Sequence, residues 1–119
     1  MMEWRKLENR ETLLNIKEES EKKPVLIFKH STRCSISSMA IDRLARSWKD
    51  DEINPHCLYY LDLIAYRSIS NQIEEMFQVP HQSPQILIIK NGRCVYDNSH
   101  MGINYQDIKN KLAEVSTNN

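Results

Sequence analysis

The chain has 119 residues, with 16 basic and 16 acidic side chains and four histidines, so it carries no formal net charge at neutral pH. That length suits one domain with a single core, and the balanced charge leaves no field to recruit nucleic acid, an anionic membrane or an acidic substrate. Apolar runs are no longer than a strand and the N-terminal Met-Met-Glu-Trp-Arg-Lys has no apolar signal region, so neither a membrane span nor export is expected and the cytoplasm is the expected compartment.

In chain order, residues 4–7 suit a short strand, and residues 9–22 a helix with Leu13, Leu14 and Ile16 as its apolar positions, stopped by Pro24. Residues 25–28, Val-Leu-Ile-Phe, form the uninterrupted apolar run of a strand buried on both faces. A polar turn then delivers Cys34 to the start of a helix that continues through Met39, Ile41, Leu44, Ala45 and Trp48. Residues 50–55 make a polar connection to a strand over 57–63, rich in aromatic side chains. A helix over 67–77 carries Ile69, Ile73, Met76 and Phe77 at helical spacing and is ended by Val79-Pro80. Strands over 85–90 and 93–96 are joined by Asn91-Gly92, the strongest short-range hairpin signal. Tyr105, Ile108, Leu112 and Val115 define one face of a last helix over 104–115, which leaves 1–115 as the single domain and 116–119 as a polar tail.

The three cysteines, Cys34, Cys57 and Cys94, lie too far apart in sequence for a disulfide framework or a metal-ligand pattern, and no metal site is expected. In a reducing compartment they rest as thiols, so a working cysteine here works by reacting. Cys34 is the candidate, because unpaired backbone N–H groups and the positive end of the helix dipole converge at a helix start and favour a thiolate, with Arg33 adding to that field. Ser35 flanks the sulfur. Ser37 lies one turn on, where its hydroxyl can bond the backbone, donate to the thiolate, or do both. His30 is either a base or a satisfied structural histidine. Arg33 is either a solvated charge or a group that meets the carboxylates of a thiol ligand. Cys57 and Cys94 read as packing residues in strands, Cys94 the more exposed of the two. Met39, Leu44, Trp48, Tyr59 and Tyr60 read as core or sheet surface, and His81 and His100 carry no assigned role.

A βαβ half followed by a hairpin and a last helix, with Cys34 at the strand-to-helix turn, Ser83-Pro84 before the hairpin and Gly102 before the last helix, resembles the thioredoxin fold. The resemblance implies an α/β architecture, a central mixed β-sheet with helices on both faces. It also implies a cis-proline loop packed beside the cysteine, with Thr32, Ser83 and Pro84 meeting an extended thiol substrate. One departure decides the chemistry: dithiol members have Cys-x-x-Cys, whereas this chain has Cys34-Ser35-Ile36-Ser37. Without a resolving thiol at the motif, recycling needs a second thiol from outside.

Residues 28–40, containing Thr32-Arg33-Cys34-Ser35-Ile36-Ser37, together with His81-Gln-Ser-Pro-Gln85 and Asn91-Gly92, resemble the monothiol bacilliredoxin family. What this implies is a monothiol thiol-disulfide oxidoreductase that removes bacillithiol from protein mixed disulfides through Cys34. Its partners would be bacillithiolated client proteins and a low-molecular-weight thiol serving as co-substrate, with no bound cofactor and a monomeric state. Two other readings stay open: a non-enzymatic thioredoxin-like redox sensor or protein-binding module, and an iron-sulfur-ligating protein of the monothiol glutaredoxin kind.

Overall fold

The computed structural model describes residues 4–49, 52 and 58–117. The continuous apolar run after Pro24 becomes the central strand of a five-stranded sheet, and its lack of polar alternation has a direct cause in the helices that cover both of its faces. The strands are β1 (Arg5–Lys6), β2 (Val25–His30), β3 (Leu58–Asp62), β4 (Gln85–Lys90) and β5 (Arg93–Ser99), arranged in the order β1-β3-β2-β4-β5. β3 pairs in parallel with both β1 and β2, whereas β4 runs antiparallel to β2 and β5 antiparallel to β4.

The helices are α1 (Arg10–Glu19), α2 (Ser35–Ser47), α3 (Arg67–Phe77) and α4 (Tyr105–Thr117). On one face Leu13 and Ile16 of α1 and Ile69, Ile73 and Phe77 of α3 join the core built on Val25, Ile27, Leu87 and Ile89. On the other, Ala40 and Leu44 of α2 and Ile108 and Leu112 of α4 join the core built on Leu26, Phe28, Ile86 and Ile88. Adjacent residues of β2 and of β4 thus feed different cores, as the two-residue period of a strand requires. Among the described residues no helix is long and apolar enough to cross a membrane.

Several boundaries differ from the sequence pattern for identifiable reasons. β2 runs two residues past Phe28, because Lys29 and His30 stay paired with Leu61 and Asp62 of β3 although their side chains are polar. α1 ends at Glu19, and Leu14 is exposed. Met39 is 66% exposed instead of buried, since the inward stripe of α2 is Ser37, Ala40 and Leu44, and a residue one position off that stripe points outward. β5 extends to Ser99, and α4 begins one residue later than the pattern and continues to Thr117. The Asn91-Gly92 turn has φ of 54° and 73°, the left-handed pair of a two-residue hairpin. Cys57 and most of the 50–55 connection lie outside the described residues.

Candidate active site

The chain leaves β2 through a turn closed by the Cys34 amide donating to the Ser31 carbonyl at 3.1 Å. Cys34 is the N-cap of α2, in extended conformation at φ −107° and ψ 121°, and its carbonyl accepts the Ser38 N–H at 3.0 Å. Its side chain makes no capping hydrogen bond. The sulfur is therefore held at the positive end of a 13-residue helix without serving the helix as its cap. Cys34 is half-buried, and Thr32, Arg33, Ser35 and Ile36 around it are exposed, so a thiol partner has access.

Ser37 points the other way. It is completely buried; its hydroxyl accepts the Ser31 N–H at 3.0 Å and lies 2.6 Å from His30 Nδ1. Of the two roles expected for Ser37, the backbone bond is formed, and donation to the sulfur is not among the bonds it makes. His30 is buried against the rings of Phe28 and Tyr60, with centroids at 6.4 Å and 5.6 Å. Burial pulls its pKa below the ordinary 6.5, against the opposing fields of Asp62 and Asp42. A neutral ring either takes the Ser37 proton on Nδ1 or donates Nδ1–H to the hydroxyl, and only the second tautomer leaves the Ser37 proton free to turn toward the sulfur.

The sheet register brings the second half of the site into place. Lys29 near the end of β2 faces Gln85 at the start of β4, so the Ser83-Pro84 loop lies at the end of the sheet from which Cys34 emerges. The Ser83–Pro84 peptide is cis. The Pro84 carbonyl accepts the N–H of His100 at 3.1 Å, and His100 sits at φ 52°, a left-handed conformation that non-glycine residues rarely adopt. The Ser83 hydroxyl is buried with no hydrogen-bond partner among the described residues. Thr32, Arg33, Cys34 and Ser35 thus share the turn, Ser37 and His30 form its buried support, and Ser83 and Pro84 border the same end.

Cys94 does not belong to this group. It pairs with Ile89, which pairs in turn with Val25 at the opposite end of β2 from Cys34. A strand of that length spans roughly 17 Å, well beyond the separation of about 7 Å that a disulfide tolerates between Cα atoms. Its sulfur bonds the Tyr96 carbonyl at 3.3 Å, and burial pushes the thiol up to about 11. The sequence pattern missed a second polar cluster, Lys29 with Ser70 and His81, on the α3 side of the sheet. The signal available was Lys29 itself, which falls on the face occupied by Val25 and Ile27.

A sheet of this order, with a cysteine at the head of α2 and a cis-proline loop at the same end, defines a thioredoxin-fold thiol redox protein with a single sulfur in its motif. Residues 5–108 match the family described as monothiol bacilliredoxin BrxC, and the chain belongs to that family. Among solved structures, a proposed oxidoreductase with a thioredoxin fold is 28% identical with a TM-score of 0.75, over 88% of this chain and 89% of that one. Thioredoxin of Malassezia sympodialis matches at 13% identity and a TM-score of 0.69, over 98% and 93% of the two chains. Thioredoxin of Fasciola hepatica matches at 15% and 0.68, over 92% and 97%. The family and the fold together establish a thiol redox role.

Proposed function

We propose that the protein removes bacillithiol, or a low-molecular-weight thiol of its kind, from mixed disulfides on client proteins. The observation that carries this reading is the pairing of an accessible Cys34 at the helix head with a buried Ser37 where a dithiol protein has its second sulfur. The Cys34 thiolate attacks the small-thiol sulfur of the mixed disulfide. A new bond forms between the two, the old disulfide bond breaks, and the client cysteine leaves as a thiolate. No second sulfur at the motif can attack the adduct, so a free small thiol must do so. It releases the symmetric small-thiol disulfide and regenerates the Cys34 thiolate, with no net change in electrons held by the protein.

Thr32, Arg33 and Ser35, exposed beside the sulfur, are placed to meet the small thiol, with Arg33 supplying a cation for its carboxylates. Ser83 and Pro84 meet the client backbone. The test incubates reduced protein with a bacillithiol-modified client and weighs both by mass spectrometry. The modification should move onto Cys34 in the wild type and in Cys94→Ser, and should stay on the client with Cys34→Ser. A client that keeps its modification in the presence of wild-type protein overturns the reading.

A further inference from the structure

Lys29 takes no part in the exchange steps, yet it is completely buried on the central strand one residue before His30. Burying an ammonium is costly unless something is gained by holding it there. Its Nζ lies 3.4 Å from Nδ1 of His81, and the Ser70 hydroxyl lies 3.2 Å from the same nitrogen. One turn further along α3, Glu74 Oε1 accepts the backbone N–H of His81 at 2.7 Å. Ser70 and Glu74 are four residues apart and share one helix face. An ammonium only donates, so Nδ1 is the acceptor and the His81 ring proton sits on Nε2. His81 is thus held at its ring from β2 and α3 and at its backbone from α3. The adjoining loop is braced as well, the Gln85 side chain accepting the Gln82 N–H at 3.3 Å and donating to the Pro80 carbonyl at 3.1 Å.

We propose that Lys29 is a positioning residue for thiol exchange: by gripping His81 it sets the placement of the Ser83-Pro84 loop against the client, and so governs client recognition without touching Cys34. This rests on the reading above that Ser83 and Pro84 face the client. The charged groups around the grip are Glu74 and Arg67 from α3, the Cys94 thiol of β5 stays neutral there, and Lys29 loses its proton at about 8. Deprotonation turns a charge-assisted bond to His81 into a weaker neutral one.

The experiment measures exchange with a bacillithiol-modified client and, separately, the rate at which iodoacetamide alkylates Cys34. Lys29→Met and His81→Leu should each raise the client KM about tenfold, while kcat and the alkylation rate remain near wild type. His81→Asn places an amide oxygen where Nδ1 stood and should recover most of the loss. In the wild type the client KM should rise as pH climbs through about 8, and in Lys29→Met it should stay flat. Lys29→Met with an unchanged KM, or His81→Asn as impaired as His81→Leu, overturns the inference and leaves the proposed function standing. Wild-type protein that transfers nothing overturns both. Should Lys29→Met not fold, the two His81 variants decide the matter.

Discussion

Replacing Lys29 by methionine should make the folded protein more stable at neutral pH, although it removes a hydrogen bond. Burial lowers the Lys29 pKa from 10.5 to about 8, with Glu74 pulling the other way. A drop of that size corresponds to roughly 3 kcal/mol, which screening by water near half-exposed His81 reduces to about 2 kcal/mol. Methionine has a stem of similar length and no charge, so it fills the same slot without that penalty. A gain of about 2 kcal/mol in a chain of this size raises Tm by roughly 8 °C. The sign follows from proton uptake. Below about pH 8 both states hold the proton and the penalty is complete; between about 8 and 10.5 the unfolded chain alone holds it, so wild-type stability rises with pH relative to the variant. Paired urea melts of wild type and Lys29→Met, at neutral pH and again above the upper value, therefore read the effect directly. A variant no more stable than wild type at neutral pH, or an advantage that does not shrink under alkaline conditions, refutes the reasoning.

Ser37→Ala removes the hydroxyl that satisfies Ser31 N–H and His30 Nδ1, and should cost about 2 kcal/mol in chemical denaturation; a cost near zero shows that the pair is immaterial. Ser37→Cys restores a Cys-x-x-Cys motif, and mass spectrometry should then find the small-thiol adduct leaving Cys34 with no thiol added, an outcome contradicted if the adduct persists. His30 and His81 both have pKa values lowered first by burial. As pH falls through the ordinary 6.5 the unfolded chain binds protons that the fold refuses, so stability is lost toward acid. His30→Gln should flatten that acid limb in a urea titration, and an unaltered slope assigns it to other groups.

Residue pattern alone was enough to read the element order, the hairpin and the position of Cys34 at a helix head. Local chemistry decides each of these: Asn91-Gly92 demands left-handed backbone, the Val25 to Phe28 run demands cover on both sides, and a cysteine at a polar strand-to-helix turn has its field from the helix that follows. The absence of a resolving thiol was equally legible, because Ser37 stands in plain sequence one turn after Cys34. What stands behind the turn that carries the sulfur came from tertiary packing. The Ser37 hydroxyl accepts the Ser31 N–H, and whether its own proton is left free for the sulfur depends on His30, seven residues earlier, which reaches it because β2 continues through two polar residues held by pairing with Leu61 and Asp62. Hydropathy ends the strand at Phe28; the backbone ladder, indifferent to side chains, does not. In the same way Met39 faces outward through the rotation of α2 on its sheet, and Lys29 meets His81 across 52 positions of chain. Such contacts follow from strand register and from how the helices seat on the sheet, properties of the assembled fold that no local stretch of residues contains.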